Sequence, residues 1–337
     1  MTVNRRLFLK IAGAASMAEA LLATEPLTAT LAHRQTNAVP LSIEQYHTLV
    51  LYQRQYGEAT VYTIASSARL AHGPFVRTAS YHGWSTSWDQ AVRLQLNQKT
   101  GEEGVLFYDR THGVIALYQL TAEGKLNAIR NDAGWAKTWD IFLPVFPGHN
   151  NKQCILSYDR SYGYAELHQI TSDLQVKLQK GYQLGTGWDQ ILAMETDSAG
   201  LLFYSRAQSL ARFYSMDESG YLSLKHDYPF DTQWDLLLSG AFGASTKQSL
   251  LCYSQKAGEL RHYAVEHNGR LTLLANVTGL HHDWRTILAG GFTSNQGDQI
   301  LCYDQQRSEL QLYPLPPADN IQLNPLARLG IHADLLL

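Results

Sequence analysis

Val105-Leu-Phe-Tyr-Asp-Arg-Thr-His-Gly113, set beside Ile155-Leu-Ser-Tyr-Asp-Arg-Ser-Tyr-Gly163, decides the fold. An apolar run ends at a Tyr, and a polar turn closed by Gly follows. Related phrases stand at Tyr52-Gln-Arg-Gln-Tyr-Gly57, Tyr204-Ser-Arg206, Tyr253-Ser-Gln-Lys-Ala-Gly258 and Tyr303-Asp-Gln-Gln306. The six Tyr positions are separated by 56, 50, 46, 49 and 50 residues. A second anchor keeps step with the first. Trp88-Asp89, Trp139-Asp140, Trp188-Asp189 and Trp234-Asp235 are followed by Trp284-Arg285 and Ala333-Asp334, at intervals of 51, 49, 46, 50 and 49. Two anchors in register at this period, with short apolar strands between them, are the mark of a radial β-repeat.

Each repeat reads as four strands. The apolar run after Trp-Asp, such as Ile141-Phe-Leu143 or Leu236-Leu-Leu238, has the length and continuity of a buried strand and is placed innermost. The second strand ends at the Tyr. Its turn needs Gly for positive φ. A third strand follows, as in Ala116-Leu-Tyr118 or Arg261-His-Tyr263. Glu123-Gly124, Ser219-Gly220 and Asn268-Gly269 then form tight hairpins into a fourth. Residues from about Leu41 to Leu70 lack a first strand, and Ala333-Asp334-Leu-Leu-Leu337 is a first strand with nothing after it. The expectation is an all-β, six-bladed propeller of four-stranded antiparallel blades, with Asp334–Leu337 pairing onto Thr48–Leu70 to close the ring and remove open edges.

Outside the repeats, Asn4-Arg-Arg-Leu-Phe-Leu-Lys10 and the small, apolar Ile11–Ala23 resemble a twin-arginine export signal. Residues 1–32 are therefore expected to be a targeting segment, 33–40 a linker and 41–337 a single propeller. The protein is expected in the periplasm or outside the cell. No stretch reaches the length of a membrane span. Cys154, Cys252 and Cys302 are odd in number, and the last two occupy equivalent positions before the repeat Tyr; they read as core hydrophobes.

The chain is 337 residues long and carries a net charge of -3, with 17% charged side chains and no basic block. That argues against nucleic acid and anionic membranes as partners. Nineteen Tyr and seven Trp offer instead the flat apolar faces that sugars stack on. Carboxylate rings for calcium, His-x-His pairs, Gly-x-Ser-x-Gly and phosphate loops are absent from the sequence. No metal or cofactor is expected. Residues after each Trp-Asp are mostly apolar or small, with Arg93 and Glu195 as exceptions of no visible partner. His82, His112, His281 and His282 read as exposed loop residues.

The Trp-started strand and the Leu-Leu-Phe-Tyr-Asp-Arg-x-x-Gly segment resemble the bacterial fucose-binding β-propeller lectins of the PLL family. More loosely they resemble tectonin and tachylectin-like propellers. The resemblance implies a non-catalytic module binding glycans, fucosylated ones among them, in pockets between blades. Carried onto this chain, it points to Trp88, Trp139, Trp188, Trp234 and Trp284, with Arg110, Arg160 and Arg206. Trp84 and Trp135 join them as pocket walls; their positions elsewhere hold Leu184, Phe230, Leu280 and Leu329. The opposing expectation is that whatever recurs in every repeat is scaffold. The alternatives are a propeller enzyme with its pocket at the channel mouth, or a scaffold for protein partners.

Overall fold

The computed structural model describes residues 48–64, 75–97, 100–148, 153–195, 199–242, 248–266, 268–280, 283–290, 292, 299–313 and 327–337. The export signal, the linker, His281 and His282 lie outside them. Two units divide the chain, 1–32 and 33–337, and the described residues all belong to the second.

Six four-stranded sheets make up the described fold. Thr48–Gln53 (β1), Glu58–Ile64 (β2) and Phe75–Tyr81 (β3) belong to blade 1. Blade 2 holds Gln90–Asn97 (β4), Glu102–Asp109 (β5), Val114–Leu120 (β6) and Leu126–Ala133 (β7). Blade 3 holds Ile141–Val145 (β8), Cys154–Asp159 (β9), Tyr164–Ile170 (β10) and Val176–Gln183 (β11). Blade 4 is Gln190–Glu195 (β12), Ala199–Ser205 (β13), Leu210–Met216 (β14) and Leu222–Pro229 (β15). Blade 5 is Leu236–Gly240 (β16), Ser249–Ser254 (β17), Glu259–Val265 (β18) and Leu271–Val277 (β19). Blade 6 is Trp284–Gly290 (β20), Gln299–Asp304 (β21), Glu309–Tyr313 (β22) and Ala327–Gly330 (β23). Leu335–Leu336 (β24) returns to blade 1, whose order is β24-β1-β2-β3. The architecture is the six-bladed propeller expected, closed as expected.

Burial follows radius. The second strands β9, β17 and β21 are buried along their whole length, because a blade stands on either side. The fourth strands alternate with many exposed positions, as at the rim of a ring. Five of the six third-to-fourth strand pairings carry a bulge at the same place, skipping Thr78, Ile129, Gln179, Lys225 and Leu274. Bulges raise local twist. The three cysteines are buried and none is in a disulfide.

Turn chemistry departs from the sequence in two blades. Gly57, Gly113, Gly163 and Gly258 close their second-to-third hairpins at φ between 55° and 66°. Ser209 and Ser308 hold the same place at φ 47° and 49°. In all six blades the carbonyl at this position accepts the backbone N–H that begins the loop to the next inner strand: Trp84, Trp135, Leu184, Phe230, Leu280 and Ile331. In the last blade that partner is Ile331, not the Leu329 expected from constant spacing; the final loop is two residues shorter.

Candidate functional site

The repeated residues weld the blades together. Each Tyr of the anchor is buried. Tyr108 and Tyr158 donate to the carbonyls of Ala136 (2.6 Å) and Gly185 (2.8 Å) in the loop leading to the next blade. Burial pushes the Tyr52, Tyr108 and Tyr158 phenols up to about 12, against the pull of neighbouring Arg54, Arg110 and Arg160 and of backbone hydrogen bonds. Each Asp of the second anchor accepts a backbone N–H from the hairpin of its own blade. Arg54 donates to Asp334, Arg110 to Asp89, Arg160 to Asp140, Arg206 to Asp189 and Gln255 to Asp235, all at 2.7–2.8 Å.

The Arg side chains then cross to the following blade. Arg54 donates to the Trp88 carbonyl at 2.8 Å. Arg110 reaches the Trp139 carbonyl and, at 3.0 Å, the Asp140 carboxylate. Arg160 holds the carbonyls of Trp188 and Asp189. Arg206 pairs with Asp235 at 3.2 Å. A circumferential chain of Asp, hairpin N–H and Arg thus runs from blade 1 to blade 5. In blade 6 the order is inverted, with Arg285 donating to Gln305.

All five Trp of the second anchor are buried, from 0% exposed at Trp234 to 6% at Trp88. Trp188 packs between blades 3 and 4, among Leu143, Tyr158 and Phe203. Trp84 and Trp135 are partly buried, Trp84 stacked on Tyr118 and Trp135 tilted on His168. The structure therefore scatters the ten sequence candidates around the ring as inter-blade contacts and does not gather them into one site. Arg93 has partners that the sequence did not show: it donates to the carbonyl (2.8 Å) and hydroxyl (2.6 Å) of Thr48 and pairs with Glu103.

A different group stands where one blade breaks the repeat. The hairpins and inter-blade loops meet on one face of the ring. In blade 2 that face holds Asp109, His112, Ser85 and Ser87. Asp109 is 4% exposed. Its Oδ1 accepts the His112 backbone N–H at 2.9 Å, and its Oδ2 lies 2.6 Å from His112 Nδ1 and accepts the Ser87 hydroxyl. Ser85 and Ser87 hydroxyls are 2.6 Å apart. Burial alone would raise the Asp109 carboxyl. The hydrogen bonds from Ser87 and from the His112 ring and backbone, with the His112 charge, outweigh it and hold the group below the usual carboxylate range.

An ionised Asp109 accepts a hydrogen bond from Nδ1–H, which leaves Nε2 of the ring pointing away from it. The His112 side chain is 64% exposed. An imidazole held in one tautomer by a buried carboxylate is the arrangement that general-base chemistry uses. It is not a Ser-His-Asp triad, because Ser87 donates to Asp109 and not to the imidazole. Arg54, bound to the carbonyl next to Ser87 and 3.6 Å from the Asp89 carboxylate, is 40% exposed and reaches the same loop. Reading His112 as an exposed loop residue was right about exposure and missed its partner. A signal was present: among the six blades, blade 2 alone has Asp at the first position of its hairpin, His before the closing residue and Ser before its own second-anchor Trp.

Among the described residues no cluster of three or more His, Cys, Asp or Glu could hold a metal ion, and no helix is long and apolar enough to cross a membrane.

No family model matches this chain, and no curated protein matches it. Solved structures do. A periplasmic gluconolactonase from Pseudomonas aeruginosa aligns with a TM-score of 0.54 at 12% identity, over 85% of this chain and 83% of the other. A structure described as a putative 6-phosphogluconolactonase from Bacteroides fragilis gives 0.54 at 11%, over 88% and 85%. A protein from Lactobacillus plantarum gives 0.53 at 11%, over 89% and 85%. At this identity the likeness establishes the propeller fold.

These findings correct the lectin expectation. The likeness lies with propellers described as lactonases and not with the PLL lectins. The residues that would have held sugar are also engaged in joining blades. The lectin reading is not carried further.

Proposed function

We propose that the protein is an exported propeller hydrolase that opens a lactone or similar activated ester. The observation that carries this reading is the Asp109–His112 dyad, a buried carboxylate holding an outward imidazole at 2.6 Å. Water gives a proton to His112 Nε2 as its oxygen attacks the carbonyl carbon. The resulting oxyanion is stabilised by the Arg54 guanidinium. Collapse breaks the ring C–O bond, and the departing alkoxide takes the proton back from Nε2. The described chemistry of the similar propellers supports the choice of a lactone. The Asn4–Lys10 segment supports export, and with it a periplasmic or extracellular substrate.

The test is hydrolysis of glucono-δ-lactone and its 6-phosphate, followed by pH-stat against the buffer rate. The wild type should exceed that rate. His112→Gln and Asp109→Asn should each lose roughly 10²–10⁴-fold, the usual contribution of a positioned base, with the melting temperature of His112→Gln unchanged. A wild type no faster than buffer on either lactone, or a His112→Gln variant of full activity, overturns the proposal.

A further inference from the structure

In blades 2 to 5 the hairpin joining the third and fourth strands has one design. The carbonyl of its first residue accepts the N–H of the fourth, and the first N–H donates to the carbonyl of the fifth. The sets are Thr121 with Gly124 and Lys125, Thr171 with Leu174 and Gln175, Asp217 with Gly220 and Tyr221, and Glu266 with Gly269 and Arg270. The N–H of the fifth residue then needs an acceptor. In three blades the first side chain supplies it: Thr121 accepts from Lys125 at 3.2 Å, Thr171 from Gln175 at 3.0 Å and Asp217 from Tyr221 at 2.8 Å. In blade 5 the first residue is Glu266, whose Oε1 accepts the Thr272 hydroxyl instead. The task passes to Asn268, whose Oδ1 accepts the Arg270 N–H at 2.9 Å.

That hydrogen bond has a chemical consequence. Asn268 and Gly269 are the only Asn-Gly pair in the chain. A carboxamide whose oxygen reaches the N–H two residues on folds its Cγ back over the peptide nitrogen between them, here that of Gly269. Cγ and that nitrogen are the two atoms whose bond closes a succinimide ring. Gly269 brings no Cβ to obstruct their approach. The Arg270 N–H already donates to the oxygen on which negative charge gathers as the ring closes. Asn268 is exposed, so water and hydroxide reach it. The Gly269 N–H is held by the Glu266 carbonyl at 2.8 Å and must be given up first, which makes the step base-dependent.

The next peptide group is committed to the neighbouring blade. In these four hairpins the carbonyl of the fourth residue accepts a hydrogen bond from the fourth strand of the preceding blade. Thr78 holds Gly124, Arg130 holds Leu174, Tyr182 holds Gly220 and Tyr228 holds Gly269, the last at 2.5 Å. Gly269 also lies on the buried Phe213 ring, so closely that a Cβ would stand 2.0 Å from it. A change in the main chain at Asn268 therefore reaches the contact between blades 4 and 5.

We propose that Asn268 is a site of spontaneous deamidation and that its isoaspartyl product loosens blade 5 from blade 4. The Gly269 nitrogen loses its proton to hydroxide and bonds to Cγ. The Cγ–Nδ2 bond breaks, and ammonia leaves with a proton taken from water, which restores the hydroxide. Water then opens the succinimide at either carbonyl, giving aspartate or isoaspartate. Isoaspartate routes the main chain through Cβ and Cγ, which adds a methylene ahead of Gly269 and moves it off Phe213 and Tyr228. The full chain, aged in mildly alkaline buffer, is digested and read by mass spectrometry, and isoaspartate is counted with a protein isoaspartyl methyltransferase. Conversion at residue 268 should exceed that at any other Asn by roughly tenfold, equivalent to about 1.4 kcal/mol of barrier, and should rise with pH. The aged protein should melt below the fresh one. Asn268→Gln, whose longer side chain would close a larger ring, should neither convert nor lose melting temperature with age. Asn268→Asp carries the new charge without the longer main chain and should melt with the fresh wild type. Absence of conversion in the folded chain, over a time in which the chain in urea converts, overturns the site. A converted protein that melts as the fresh one does overturns the loosening, and so does an Asn268→Asp variant that melts as low as the aged protein.

Discussion

Leu51 and Leu336 are antiparallel partners, the first in the second position of its sheet and the second in the inner strand that completes it. The junction is tied by Val50 and Leu337, each donating to the other at 2.9 and 3.0 Å, and by the Asp334 N–H to the Tyr52 carbonyl. Leu335, Leu336 and Leu337 are each less than a tenth exposed and join two core clusters, one on each side of blade 1.

Removing residues 331–337 should therefore open the ring. Three buried Leu at about 1.5–3 kcal/mol each approach the whole stability of an ordinary domain, about 5–15 kcal/mol. The truncated chain should melt far below the full one or fail to fold, and Leu336→Ala should cost about 2–5 kcal/mol. Thermal unfolding that matched the intact protein would remove the closure from the account of stability.

His262 introduces a pH dependence. It replaces an apolar residue, its equivalents by register being Val61, Leu117, Leu167, Phe213 and Leu312. It is 4% exposed, edge-on to Phe242, with Nε2 unpartnered. Burial lowers its pKa from 6.5 to about 4. Between those values the unfolded chain binds more protons than the folded one. Stability is full above pH 6.5, falls as the pH drops towards 4 and levels off below, by about 3 kcal/mol at most. Urea unfolding of His262→Leu should show a raised midpoint and a flatter profile across that window. An unaltered slope between pH 4 and 6.5 would assign the acid loss to other groups.

Ser209 and Ser308 hold left-handed backbone that four sister hairpins give to glycine. For an L-residue this costs about 1–2 kcal/mol. Ser209→Gly should recover about 1 kcal/mol, read as an increased denaturation midpoint at constant slope. A loss of stability would mean that the Ser side chain contributes more than its conformation costs.

Trp188→Ala tests the scaffold role of the repeated indoles. Trp188 is 5% exposed and its ring N–H donates to the Leu184 carbonyl at 2.9 Å. Truncation should cost about 3–5 kcal/mol. Calorimetry showing a stability within 1 kcal/mol of wild type would return this Trp to the list of candidate ligand residues.

Much of the ring was legible in the residues alone. The anchors at Tyr108 and Trp139 recur at a near-constant interval, five of the six blades are built from contacts close in sequence, and the unmatched pieces at Tyr52 and Asp334 imply each other. Period, strand order and closure follow from alternation, turn chemistry and the need to bury an apolar face. What Arg110 does was not legible, because its target, the Trp139 carbonyl and the Asp140 carboxylate, lies in another blade. His112 is a different case: Asp109 is three residues away in its own hairpin and Ser87 precedes the inner strand of the same blade, but only the folded turn brings the three side chains together. A repeat pattern reports what neighbouring blades share. Whether a given aromatic or charged group is consumed between blades or left facing water is decided by side chains from different sheets, which meet only when the ring has closed.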